Sequence, residues 1–393
     1  MTHHQITGLI HHPYRAPEGF DAVPPGVFKA STVIFKNTAA MRLRDWKNRN
    51  CYTYGLHGTP TSMVLEERIA TLEGGLQTLL LPSGLAAIAL VDMALLRSGD
   101  EVLIPSNAYG PGKELATHEL AAWGITCRFY DAMDAHSLNS MIGPATKLVW
   151  LEAAGSITME FPNLPALVGV CKTRGVLCAL DNTWGAGIAF NGFDLGDGQG
   201  VDICMQALTK FPSGGADVLM GSVTTRDEAL HLRLKATHMR MGWGVGMNDV
   251  ELVLRGLLSI QVRYRAHDQA SRTLAHWWSQ QSEVTGVLHP ALAASPGHAH
   301  WKLLCNDQAA GLFSVVFDER FSIAQVDAFV DALALFKIGF SWAGPLSLAV
   351  PYDIKALRKD EAWRGTLVRF SLGLEAVEDL IADCAQALAA LRR

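Results

Sequence analysis

From Glu73 onwards, short continuous apolar runs alternate with segments of helical periodicity, and few architectures can bury such a pattern. The runs are QTLLLPS, DEVLIPS, TKLVWLE, VLCALDN and VDICMQA, and the segments between them include Gly84–Leu96 and Lys113–Trp123. A strand that is apolar on both faces must be covered on both faces. Strands of that kind alternating with helices predict an α/β fold, a mostly parallel sheet between helix layers. After about Asp249 the pattern changes. A long helical stretch, Val250–Trp278, precedes GLFSVVFD (311–318) and TLVRFSLG (366–373), which read as antiparallel strands. Val377, Leu380, Ile381, Cys384, Leu388 and Leu391 then share one face of a final helix. The expected organisation is an arm over residues 1–57 without a core of its own, contributing to a neighbouring subunit; a large α/β domain over 58–250; and a smaller α+β domain over 251–393.

The run Val176–Leu180 ends in an acid, Asp181, within VLCALDNTWGAG. A buried carboxylate needs a cationic or hydrogen-bonding partner. In open α/β sheets ligands bind beyond the carboxyl ends of the strands, so that partner belongs either to the protein or to a ligand. Three further strand ends bear on the choice. In LPSGLAAIAL (81–90), Ser83-Gly84-Leu85 opens a helix; its small residues either expose N–H groups to an anion, or Ser83 is a plain N-cap. In SNAYGPG (106–112), Tyr109 either stacks on a planar ligand or caps the sheet. In QALTKFPSGG (206–215), Lys210 sits among apolar neighbours, 29 residues after Asp181. It is either a desolvated amine suited to Schiff-base chemistry or a structural partner of Asp181. One ligand suits all four strand ends. Pyridoxal 5'-phosphate (PLP) has an aldehyde for a lysine, a ring nitrogen for an acid, a flat ring for an aromatic and a phosphate for a helix N-terminus.

Composition narrows the class. With 49% apolar and 18% charged residues the chain is globular, and a net charge of −5 leaves no footprint for nucleic acid or an anionic membrane. The start, MTHHQITGLIHHPYRAP, lacks the features of a signal peptide, and Leu85–Leu96 carries Asp92 and is too short to span a bilayer. Seven scattered cysteines do not form a disulfide pattern. These features predict a reduced, cytoplasmic, soluble protein. His3, His4, His11 and His12 read as a mobile tail rather than a metal site, Cys171 and Cys178 as core, and Trp277 and Trp278 as packing.

The chain resembles the Cys/Met-metabolism PLP-dependent enzymes, and their cystathionine β-lyase branch most. The resemblance runs from about Phe28 to the C-terminus. It is carried by YGLHGTPTSMVLEERIATLEGG, PSGLAAI, SNAYGP, WLEAAGSITMEFPNLPAL, DNTWGAG, ALTKFPSGGADVLMG, GLFSV, SWAGPLSL and GTLVRFSLGLEAVEDLIADC. It implies a PLP-dependent transferase-like large domain of the aspartate aminotransferase type. It also implies that Lys210 bonds the cofactor aldehyde, Asp181 pairs with the pyridine nitrogen, and Tyr109 stacks on the ring and helps activate the incoming amine. The backbone of Gly84 and Leu85, with the Thr209 hydroxyl, would hold the phosphate. Arg369 would grip the substrate α-carboxylate, with Ser341 and Trp342 beside the substrate. Tyr54 would reach into a neighbouring subunit's site, which implies at least a dimer and a homotetramer of two such pairs. The implied reaction is β-elimination of a thiol from L-cystathionine or a related cysteine S-conjugate, leaving pyruvate and ammonia. The alternatives are a γ-acting relative (a lyase or synthase) and a non-catalytic PLP-fold binding protein.

Two departures from the family pattern stand out. Relatives carry a tyrosine–x–arginine pair whose arginine contacts the PLP phosphate of the neighbouring subunit; here the stretch reads Tyr54-Gly55-Leu56. Losing such a contact costs roughly 1.5–3 kcal/mol unless another cation replaces it, and His57 and Arg49 are the nearby candidates. Leu346 stands where relatives often have a glutamate, which favours smaller or less polar substrates.

Overall fold

The computed structural model describes residues 5–14, 17–20, 22–48, 51–354 and 365–392. Seven strands form the larger sheet: β1 (Gln77–Leu81), β2 (Glu101–Pro105), β3 (Thr126–Tyr130), β4 (Thr146–Glu152), β5 (Leu177–Asp181), β6 (Ile203–Gln206) and β7 (Gly221–Thr225). Their order is β1-β7-β6-β5-β4-β2-β3. The pairs β2/β3, β2/β4, β4/β5 and β5/β6 are parallel, whereas β7 runs antiparallel to both β1 and β6. The sheet is thus mostly parallel, and β5, which carries Asp181, lies at its centre.

The continuous apolar runs have the reason inferred from sequence. One face of the sheet places Val102, Leu148, Trp150, Ala179 and Ile203 against Ala87, Leu90 and Val91 of the helix Gly84–Leu95. The opposite face places Leu103, Val149, Leu151, Cys178 and Leu180 in a core with Leu65 and Ile69 of the helix Pro60–Glu73 and Leu167 and Cys171 of the helix Leu164–Arg174. Both faces are dry, so the alternation expected of a half-exposed strand disappears.

The C-terminal region carries an antiparallel sheet of β8 (Val284–Leu288), β9 (Leu312–Phe317), β10 (Leu348–Tyr352) and β11 (Leu367–Ser371), in the order β10-β11-β9-β8. Side chains alternate along β11. Phe370 enters an aromatic cluster with Phe313, Trp278 and Phe336, which leaves Arg369 on the other face. Along the final helix, Val377–Leu391, residues Leu380, Cys384, Leu388 and Leu391 are buried, and Val377 and Ile381 pack at their edge.

Several expectations need correction. The stretch Val250–Trp278 is two helices, Met247–Leu257 and Ile260–Trp278. Gly256 approaches the carbonyls of Pro212 and Ser213 so closely that a Cβ there would lie 2.3 Å from the first oxygen. Beside the break, Arg263 Nη2 donates to the Gly256 carbonyl at 2.7 Å. Lys113–Trp123 is likewise interrupted, a helix at Gly110–Leu115 passing into a wider turn at Ala116–Leu120. Part of the arm does have a core: the helix Gln5–Ile10 buries Leu9 and sends the Gln5 amide to the Leu72 and Gly187 carbonyls. His12 is therefore no mobile tail, because it packs 3.9 Å from Glu67 and burial lowers its proton affinity. His3 and His4 lie outside the described residues.

Asp92 is buried within the helix Gly84–Leu95, where Trp150 Nε1–H donates to Oδ1 at 2.8 Å. Burial pushes its carboxyl up to about 7. The folded protein thus favours the protonated form more than the unfolded chain does, and the associated stability is lost as pH rises from about 4 through about 7. Asp92→Asn removes that dependence. The gain in Tm over the parent should be larger at pH 8 than at pH 5, and an equal difference at both would refute the assignment.

Candidate active site

Asp181 ends β5 at the carboxyl edge of the sheet. Its Oδ1 accepts the Thr183 N–H at 3.0 Å and the Thr183 hydroxyl at 2.5 Å. Among the described residues these are its only hydrogen bonds, and Oδ2 receives none. Burial raises the carboxyl, opposed by Thr183 and by the charge of Lys210. A cationic nitrogen placed at Oδ2 would reverse that rise.

Lys210 is not the structural partner of Asp181. Its Nζ donates to Ser341 Oγ at 2.6 Å and stands 5.4 Å from the centre of the Trp342 ring. Burial first, then the positive charge of Arg369, bring the amine down to about 8. Ser341 (φ 113°) and Ala343 (φ 63°) both occupy the left-handed half of backbone space, a strained turn that sets the serine and tryptophan against the lysine.

Arg369 comes from β11, paired in register with Ser314 of β9 and Val350 of β10. It is 9% exposed, and among the described residues it has neither a hydrogen-bond partner nor an ion-pair partner. Its guanidinium lies over the Tyr352 ring, 5.5 Å from the centroid. A buried arginine of that kind lacks an anion.

Tyr109 caps the helix Gly110–Leu115, with its own N–H donated to Glu152 Oε2 at 2.8 Å. Its ring is half exposed beside a small cavity shared with Asp181, Glu152 and Trp150. Burial and the charges of Asp181 and Glu152 raise the phenol, which therefore holds its proton more firmly than a solvated tyrosine.

The helix N-terminus at Gly84 meets the loop that carries Lys210. Ser83 Oγ accepts the Ala86 N–H at 3.0 Å, an ordinary cap. A Cβ at Gly84 would lie 2.8 Å from the Ala207 methyl, and one at Gly221 would lie 2.3 Å from the Ser83 carbonyl oxygen. Only glycines permit this convergence. The Thr209 hydroxyl is engaged by the Met220 backbone, donating to its carbonyl at 3.2 Å and accepting its N–H at 3.1 Å.

These residues fit PLP. An amine is held neutral more readily than usual, a buried carboxylate keeps one oxygen uncommitted, an aromatic face is accessible, and a glycine-built helix start adjoins the lysine loop. Tyr54 stands elsewhere, half exposed on a groove of about 670 Å³ with Leu56, Lys29 and Gly244–Asp249. His57, one candidate to replace the missing arginine, is hydrogen-bonded to Thr53 Oγ1 at 2.7 Å and lines a separate cavity with Lys235 and His238. Arg49, the other, lies outside the described residues. Among the described residues there is no cluster that could hold a metal.

The family model for Cys/Met metabolism PLP-dependent enzymes matches residues 6–389. The chain belongs to the Cys/Met metabolism PLP-dependent enzyme family. Its members depend on PLP, in agreement with the fit above. A cystathionine beta-lyase of Bordetella avium is 37% identical over 98% of this chain and 97% of its own length. An L-alanine/L-glutamate racemase of Wolbachia pipientis is 33% identical over 93% and 92%. Among solved structures, cystathionine gamma synthase of Xanthomonas oryzae pv. oryzae, in complex with aminoacrylate and cysteine, superposes with a TM-score of 0.90 at 26% identity, over 100% of this chain and 99% of that one.

Sequence reasoning passed over Thr183, Tyr352 and Glu152. The last was within reach, because TKLVWLE ends in an acid in the same way as VLCALDN.

In the cofactor-free enzyme, the pH profile of Lys210 acetylation, read by mass spectrometry, should have its midpoint near 8, against about 10.4 for a solvated lysine. A midpoint above 10 would show that burial does not govern this amine.

Proposed function

We propose that the protein is a PLP-dependent carbon–sulfur β-lyase. It would cleave L-cystathionine or related cysteine S-conjugates to homocysteine or another thiol, pyruvate and ammonia. The observation that carries this reading is the trio of Lys210, Asp181 and Arg369, largely removed from water and, among the described residues, without counter-ions in contact, in a chain so similar to a cystathionine beta-lyase.

Lys210, Asp181, Tyr109, the backbone of Gly84 and Leu85, and Thr209 would hold the cofactor. When bound, PLP supplies an electron sink for charge developing at the substrate Cα. Arg369 receives the α-carboxylate and so orients the Cα–H bond. Lys210 Nζ, deprotonated at modest pH and aimed by Ser341 Oγ, takes the Cα proton. Tyr109, whose phenol keeps its proton, or the protonated Lys210 amine delivers a proton to the leaving thiolate. Asp181, with one oxygen held by Thr183, would keep the cofactor's ring nitrogen protonated. Trp342 and Phe211, with ring centres 5.8 Å apart, line the lysine with apolar surface that limits water.

The assembly reading is part of the same proposal. Residues 58–250 and 251–393 act as two units of one subunit, and residues 1–57 reach a neighbour, where Tyr54 contributes to the adjoining site of a homotetramer. Val23 is 93% and Ile34 is 91% exposed, apolar surface that a subunit contact would cover. A reducing, cytoplasmic setting is supported by the seven cysteines, all free thiols. Among the described residues, no helix is long and apolar enough to cross a membrane.

The test is the identity of the 2-oxo acid formed from L-cystathionine by the PLP-loaded enzyme. Pyruvate is expected. 2-Oxobutyrate would place the cleaved bond at Cγ, and a D-amino acid without any 2-oxo acid would indicate racemisation. Leu346 is half exposed and leaves its position without an acid for a distal ammonium. In the same assay S-ethyl-L-cysteine should therefore match or exceed L-cystathionine in kcat/KM, and a preference for cystathionine would overturn that part.

A further inference from the structure

Glu152 ends β4 directly beside Asp181, with which it pairs in parallel register. It is a second acid at the carboxyl edge of the sheet, lining the same cavity as Asp181 and Tyr109. Its Oε2 takes the Tyr109 N–H at 2.8 Å. The two segments it joins are tied again nearby: Ser156 N–H donates to the Asn107 carbonyl at 2.8 Å, and Asn107 Nδ2 donates to Glu160 Oε2 at 3.2 Å. Beyond Ser156 the chain passes through Ile157 (φ 74°) and Met159 (φ 58°), conformations that persist only when neighbouring contacts fix them.

We propose that Glu152 is a positioning residue of the cofactor site, holding the Tyr109 ring in place relative to Asp181 and Lys210 through its bond to the Tyr109 backbone. The proposal rests on the reading of this site as the PLP site. The role needs reach and an acceptor oxygen, not charge. In keeping with that, burial and the adjacent Asp181 push the Glu152 carboxyl well above the usual carboxylate range. An amide oxygen serves equally well, whereas a carboxylate one carbon shorter withdraws by about 1.5 Å and loses the Tyr109 N–H.

Glu152→Gln and Glu152→Asp separate these requirements. Cofactor-free parent and variants would be titrated with PLP, following affinity, the visible absorption band and its induced circular dichroism per bound cofactor, with Tm measured in parallel. E152Q should stay within about threefold of the parent Kd with an unchanged dichroic signal. E152D should bind about tenfold more weakly and show a reduced signal, the loss expected from one hydrogen bond. A merely structural role would shift Tm and leave the dichroism per bound cofactor untouched. The reverse order of the variants, equal impairment of both, or parent-like signals in both would overturn the proposal. Because the readout is cofactor binding, it does not depend on which bond the enzyme breaks. If the parent itself forms no visible PLP band, the reading of the site falls, and the Glu152 role falls with it.

Discussion

Charges buried at the carboxyl edge of a dry sheet are the constraint around which this protein is arranged. Asp181, Lys210 and Arg369 are each largely removed from water, and removing an ion from water costs several kcal/mol unless a partner offsets it. The protein supplies only part of the offset: Thr183 for one oxygen of Asp181, Ser341 for the Lys210 amine, and the face of Tyr352 for Arg369. What is left over matches a bound molecule, with a cationic ring nitrogen for the acid, an aldehyde for the amine and a carboxylate for the guanidinium. A fold that carries such uncompensated charge needs stability elsewhere. The two apolar faces of the central sheet and the aromatic cluster around Trp278 provide it.

The two sheets are not independent contributors. The larger one places Asp181, Tyr109 and Lys210; the smaller one places Arg369, and the turn before β10 places Ser341 and Trp342. They are linked where Ser314 Oγ, on the strand paired with that of Arg369, donates to the Ile157 carbonyl in the strained segment after β4. Arg369 and the loop after β4 are thereby referred to one another. The separation between Arg369 and Lys210 is set by packing of one sheet region on the other, not by any local motif.

Leu56 shows how one position can depart while the site remains. The groove that Leu56 shares with Tyr54 is open and lies apart from the residues around Lys210, so a change there leaves Asp181, Lys210 and Arg369 in place. Its effect falls on whatever approaches that groove. His57 is hydrogen-bonded to Thr53, and burial and the charge of Lys235 lower its proton affinity, so it offers little positive charge beside Leu56.

Much of this architecture was legible in the residue pattern, because a strand buried on both faces has no polar positions and announces itself by composition. Asp181, Tyr109, Lys210 and the start of the helix at Gly84 were visible for a related reason: each breaks an apolar run at the edge where ligands bind. What escaped was polar yet buried or apolar yet interrupted. β7 reads GSVTT, and its threonines enter the core because Thr224 and Thr78 hydroxyls bond one another at 2.8 Å across the sheet and the Thr225 hydroxyl donates to the Asp202 carbonyl at 2.9 Å. β10 contains Pro351, tolerated on an edge strand and discouraging to any local reading. The break at Leu258–Ser259 reflects the approach of Gly256 to the Lys210 loop, a contact between residues more than forty positions apart. By itself the sequence determined the fold class, the cofactor and the residues at the strand ends, since burial and strand direction act locally. The tertiary structure alone decided that Lys210 bonds Ser341 rather than Asp181, that Arg369 has no counter-ion among the described residues, and that Glu152 accepts the Tyr109 N–H. Those pairings follow from distances between separate elements, which no local pattern encodes.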